Sequence, residues 1–181
     1  MSLFILNKKY QKINDEVLYT KDQITILEGE DIKKIKELSS KNPRKRIRLC
    51  GHLSQENLLH EMIIIHQKDA YIRPHKHIGK SESIHIIEGE VDLIIYNETG
   101  DIQQVIKMGE YSSGKQFYCR MATSVYHTLI IRTDFLVFHE TTNGPLNPVQ
   151  TIFADWSPLE SDSENINKFM SELDNMIKYK K

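Results

Sequence analysis

The chain reads as a mostly β protein, an antiparallel sandwich or barrel, with a short strand-and-helix segment in front and a helix behind. Three observations point there. Short β-branched runs separated by polar breaks recur between Arg44 and Trp156. Helical spacing is confined to the two ends. Asn97-Glu98-Thr99-Gly100 supplies a hairpin signal, since Asn and Gly tolerate the positive φ of such turns.

In order along the chain, Gln23-Ile24-Thr25-Ile26-Leu27 alternates like a short strand. Ile32, Ile35 and Leu38 then recur at helical spacing within Asp31–Ser40, and Asn42-Pro43 stops that helix because proline pushes its predecessor out of the helical region. Leu58–His66, with Met62-Ile63-Ile64-Ile65, begins the strand series. Ile84–Ile87, Val91–Tyr96, Ile102–Met108, Val125–Ile131 and Phe135–Glu140 continue it, and Gly89 separates the first two of these. Ser112–Ser124 is a loop or a weak strand. Ser161-Asp162-Ser163 offers N-cap oxygens to a final helix with Ile166, Phe169, Met170, Leu173 and Ile177 on one face. The organisation is therefore an extension at 1–43, a β unit at 44–158 and an amphipathic helix at 159–181.

With 181 residues, 39% of them hydrophobic and 27% charged, the chain suits one soluble domain with a sizeable core. A net charge of −1 argues against general nucleic-acid binding. The Leu3–Leu6 run is too short for a signal-peptide core, and nothing approaches a membrane span. Cys50 and Cys119 are far apart and form no metal or redox pair, so a reducing cytoplasm is the expected location.

The chemistry concentrates at Pro74-His75-Lys76-His77, followed by Glu82 and Gly89. Side chains two apart on a strand share a face, so His75 and His77 can both point inward, and Glu82 can return to the same interior. His127 shares parity with Leu129 and Ile131 and is the fourth candidate ligand. Three imidazoles and a carboxylate suit a first-row divalent metal with an open position; iron, manganese, nickel and zinc all fit. Arg44, Arg46 and Arg48 would share a face of a strand, either as an anion clamp or as a solvated edge or subunit-contact strand. Tyr71 and Arg73 share parity with the histidines and could reach a substrate or pack at the rim. His85 falls on the opposite parity to Glu82. His52, His60, His66 and His139 have no partner at ligand spacing, though His60 or His66 could line a cavity. Trp156 is expected to plug a barrel end or cover an interface.

These residues resemble the first motif of the cupin superfamily, H-x-H-x4-E-x6-G, with Asp69 in place of its leading glycine. Around His127 the second motif is weaker, with Ala122, Ser124 and Ile131 at its proline, glycine and asparagine positions. More narrowly, residues 44–160 are similar to the WbuC family of cupin-fold metalloproteins. The matching pieces are Arg44-Lys45-Arg46, Tyr71–His77, Glu82, Glu88-Gly89-Glu90, Gly144–Pro148 and Phe153–Glu160. The resemblance implies a jelly-roll type β-barrel, a bound metal and an association with bacterial surface-polysaccharide (O-antigen) biosynthesis. It leaves the reaction open. The expectation is a cytoplasmic homodimer taking a small-molecule ligand such as a sugar or sugar nucleotide. It would act by metal-assisted isomerisation or epimerisation, by dioxygen chemistry if the metal is iron, or as a non-catalytic metal- or sugar-binding module.

Overall fold

The computed structural model describes residues 9–179; the Leu3–Leu6 run lies outside them. The elements in chain order are β1 (Tyr10–Lys12), β2 (Val17–Thr20), α1 (Gly29–Ser40), β3 (Arg46–Cys50), β4 (Leu59–Gln67), β5 (His75–His77), β6 (Glu82–Glu88), β7 (Glu90–Tyr96), β8 (Ile102–Gly109), β9 (Tyr118–Met121), β10 (Tyr126–Ile131), β11 (Phe135–Asn143), β12 (Thr151–Phe153) and α2 (Ser163–Tyr179).

Two sheets form. One has seven strands in the order β1-β2-β3-β4-β11-β6-β9, the other five in the order β12-β5-β10-β7-β8. From β4 onward the chain crosses from one sheet to the other at every step except the β7–β8 hairpin, as in a jelly-roll type, cupin-like fold. The expected barrel is not closed: the sheets remain separate, and an isolated bridge from Met108 to Gln116 links β8 to the chain just ahead of β9.

Three apolar layers hold the stack together. Met62, Ile64, Ile84, Ile86 and Phe138 of the larger sheet meet Val91, Leu93, Leu129 and Ile131 of the smaller. On the outer face of the larger sheet, Leu18, Ile47, Leu49, Ile65 and Val137 pack on Ile35 of α1. On the outer face of the smaller, Ile94, Tyr96, Tyr126 and Ile130 pack on Leu173 and Ile177 of α2. A strand covered on both faces buries every residue, which is why β10 is apolar or uncharged nearly throughout and why β4 carries four apolar residues in a row. Trp156 sits in this third layer, 4.9 Å from the Tyr96 ring and 5.8 Å from Tyr126, so it packs beneath α2 rather than plugging an end.

Both helices begin with side-chain caps. The Glu28 N–H donates to Asp31 Oδ2 at 3.0 Å, and the Asn165 N–H donates to Asp162 Oδ1 at 3.1 Å. The front segment departs from expectation. Residues 23–27 form no strand, and Ile24 and Ile26 are exposed. The strands are instead β1 and β2, and β2 pairs parallel with β3. A parallel pair needs a long crossover, and residues 21–45, α1 included, provide it, leaving the 23–27 pattern without a sheet edge to join. The extension is thus part of the larger sheet. The 112–124 stretch holds the short β9.

Candidate metal centre

His75 in β5 stands directly opposite His127 in β10, and on the other side of β5 His77 stands opposite Thr151 of β12. Cross-strand partners point to one face, so the three imidazoles converge on the interior. One nitrogen from each ring lies within 4.8 Å of the others. Glu82 enters from the first position of β6 in the facing sheet. Its Oε2 is 3.1 Å from His77 Nε2 and 3.7 Å from His127 Nε2. The two halves of the motif therefore sit on different sheets, and the turn at Ile78–Ser81 carries the chain across.

The outer nitrogens are already engaged. His75 Nδ1 lies 2.8 Å from the Arg73 carbonyl, and His127 Nδ1 lies 3.1 Å from the Val125 carbonyl. A carbonyl only accepts, so each Nδ1 carries a proton and Nε2 is the nitrogen left to ligate. His77 Nδ1 lies 3.1 Å from Thr151 Oγ1. Burial first, then the neighbouring His127, pushes His75 down to about 3, which keeps it neutral. Burial alone would raise Glu82, but His127, His77 and His75 together outweigh it and bring it down to about 2, so it stays a carboxylate. A neutral imidazole at His75 and a carboxylate at Glu82 are protonation states that metal binding requires.

The donor set fits such an ion on a further observation. Glu82 Oε2 is buried and has no hydrogen bond among the described residues. A buried carboxylate oxygen without a hydrogen bond is costly, and a divalent cation beside it removes the cost.

The cluster opens onto a cavity of about 660 Å³ between the sheets. Arg44, Arg46 and Arg73 line it, and Tyr71 does not. Residues 71–74 are not in a strand, so the parity that placed Tyr71 beside the histidines fails, while Arg73 does reach their cavity. The Tyr71 hydroxyl donates to the Pro158 carbonyl at 3.0 Å, and its ring meets Phe169 of α2. Arg73 donates to Ser157 Oγ at 3.1 Å and the Ala154 carbonyl at 2.9 Å, and its guanidinium lies 5.2 Å over the Phe153 ring. Arg44 and Arg46 both pair with Glu16 and Glu160. Of the remaining histidines, His66 lines the cavity, His60 stacks on His52 at 4.1 Å, and His85 is exposed.

Glu140 is the residue that motif reading passes over. It faces Ile84 across the β11–β6 pair, two positions from Thr142, which faces Glu82. It shares parity with Leu136 and Phe138, both in the inner core, and that parity was the available signal. Its carboxyl lines the cavity with no ion pair or hydrogen bond among the described residues. Burial and the Glu82 charge push it well above the usual carboxylate range, with Arg48 opposing them.

A family model described as a domain of unknown function, DUF6016, matches residues 27–108, a span that holds His75, His77, Glu82 and Gly89 but not His127. No curated protein matches the chain. Among solved structures, protein SO0799 from Shewanella oneidensis is similar at 7% identity, over 59% of this chain and 72% of that one, with a TM-score of 0.49. An oxalate decarboxylase of Lactobacillus farciminis is similar at 14% identity, over 54% of this chain and 27% of that one, with a TM-score of 0.43. Procruciferin, an 11S globulin of Brassica napus, is similar at 10% identity, over 48% and 21%, with a TM-score of 0.41. This chain thus spans about a quarter of the decarboxylase and about a fifth of the globulin.

Proposed function

We propose that this protein is a metal-binding cupin that acts on a small polar molecule of the sugar or sugar-nucleotide type by isomerase- or epimerase-like proton transfer. The supporting observation is the pairing, in one cavity, of an open three-histidine and carboxylate cluster with the unpartnered carboxyl of Glu140. A bound divalent metal would polarise a substrate carbonyl or hydroxyl oxygen. His75, His77, His127 and Glu82 would hold it. Arg73, fixed by Ser157 and Ala154, would orient the substrate. Glu140 would take a proton from the carbon beside the polarised oxygen and return it to the product, so that no further reactant is needed. The resemblance of residues 44–160 to the WbuC family supports placing the substrate in surface-polysaccharide biosynthesis, and the same reading includes a homodimer.

The test begins with elemental analysis of the purified protein, followed by a screen of sugar nucleotides with and without chelator. Chelator-sensitive turnover, accompanied by deuterium uptake from heavy water, is the expected result. His75→Ala and Glu82→Ala should lose the metal, whereas Glu140→Gln should keep it and lose about a hundredfold or more in turnover. Full metal content in both ligand variants would refute the site. Tight ligand binding with no turnover would leave a binding module.

A further inference from the structure

At the cavity mouth, two of the four lining guanidinium groups, those of Arg48 and Arg73, form no ion pair among the described residues. Arg46 and Arg48 stand opposite His66 and Ile64 across the β3–β4 pair, and both of those residues line the cavity. Arg44 continues the row at the rim. Arg44 Nη1 lies 3.3 Å from Glu16, and Arg44 Nη2 closely contacts Glu160. Arg46 reaches the same two carboxylates, each at 3.1 Å. Two guanidinium groups and two carboxylates thus close a ring. Arg48 has no ion pair among the described residues, and Arg73 hydrogen-bonds only to a hydroxyl and a carbonyl. The other carboxylates on the wall form no ion pair with these two arginines among the described residues: Asp15 pairs with Lys12 at 2.6 Å, and Glu82 lies 3.1 Å from His77 Nε2.

The two ring carboxylates are not held alike. The Glu16 carbonyl accepts from the Arg48 N–H at 2.8 Å, which fixes it to β3. Glu160 lies in the irregular segment between β12 and α2, and what ties it to the mouth is its side chain. Of the two, Glu160 is the one that can leave without disturbing a strand. A guanidinium fork that accepts a carboxylate in two-point contact accepts a phosphate or a ligand carboxylate equally well.

We propose that this cavity takes a ligand bearing a phosphate or carboxylate group, and that the group docks on Arg46 and Arg48 by displacing Glu160, which serves as the built-in occupant of the anion site. The inference deepens the reading of a metal-binding, small-ligand cavity and rests on it. One end of the ligand would meet the arginines while its polar body reaches toward the histidines, so the latch selects anionic molecules over neutral sugars.

Calorimetric titration of the metal-loaded protein at constant ionic strength tests this, with inorganic phosphate in one arm and succinate in the other. Glu160→Gln should tighten binding of the preferred anion by about fivefold or more, since the ligand no longer competes with a tethered carboxylate. Arg48→Gln should weaken it by about tenfold, the loss of one charge-assisted contact. A gain of affinity cannot come from misfolding, so the first variant guards the second. If neither anion binds, or if either variant leaves the affinity unchanged, the proposal falls. The stronger arm tells phosphate from carboxylate recognition. Elemental analysis of the same samples separates the two readings: anion binding without retained metal removes the metal centre and keeps the latch, and retained metal with unmoved affinities does the reverse.

Discussion

At the scale of single residues, the candidate centre depends as much on what lies behind the histidines as on the histidines themselves. Arg73 and Val125 contribute only backbone carbonyls, so no side-chain substitution there removes the acceptor. Thr151 is different, because its hydroxyl is the partner of His77 Nδ1. Thr151→Val keeps shape and strand preference and deletes the contact. It should weaken metal binding by about ten- to a hundredfold, read by competition with a coloured chelator, while leaving thermal stability of the metal-free protein nearly unchanged. An equal loss of stability would mean that Thr151 supports the strand and not the ligand. Glu140 makes the complementary point. Its carboxyl has no hydrogen bond or ion pair among the described residues, where most buried carboxylates have one.

Among the elements, the β6–β7 connection tightly constrains the β11–β6 pair that carries Glu140 and Glu82. Gly89 holds φ at +88°, and a Cβ placed there would lie 2.3 Å from the Phe135 carbonyl oxygen and 2.5 Å from Thr133 Oγ1. Both the backbone conformation and the close approach demand glycine. Gly89→Ala should cost on the order of 2–3 kcal/mol, from strain plus displacement of the start of β11. Denaturant unfolding would measure it, and a loss below about 0.5 kcal/mol would show that the turn relaxes freely. Because Glu140 and Glu82 both flank this β11–β6 pair, the same variant should also disturb the cavity. At the rear, α2 is joined to the smaller sheet by charge as well as packing: Arg132 bridges the buried Asp92 and Asp174 of the helix.

For the whole molecule, the buried histidines couple stability to pH. His66 is pushed from its ordinary 6.5 down to about 3 by burial, and its Nδ1 has no hydrogen bond among the described residues. Between those values the unfolded chain binds a proton that the folded chain refuses. The stabilisation is therefore complete above pH 6.5 and is lost as pH falls toward 3, at up to about 1.4 kcal/mol per pH unit. His66→Leu should remove this slope. Compared by urea unfolding of metal-free protein at about pH 7 and about pH 5, the parent should lose roughly 2 kcal/mol more than the variant. Equal losses would show that His66 is protonated in the folded state, with an acceptor or water for its N–H. No helix among the described residues is long and apolar enough to cross a membrane.

By itself, the sequence determined the mostly β texture, both helices, the six longest strands and the four residues that meet at the candidate centre. These are local properties: side-chain alternation, helical spacing and a two-residue histidine step repeat over distances that a short segment already sets. What only the tertiary structure decided is which segments become neighbours. It replaced the 23–27 strand by a parallel crossover, and it left the barrel as two unjoined sheets. It turned Tyr71 toward α2 and tied Arg44 and Arg46 to Glu16 and Glu160 from distant parts of the chain. It also brought Glu140 to the cavity wall beside Glu82 through strand pairing across more than fifty residues. Ion pairs and cavities are made by side chains far apart in sequence, so their composition depends on sheet order and register, which no local pattern encodes.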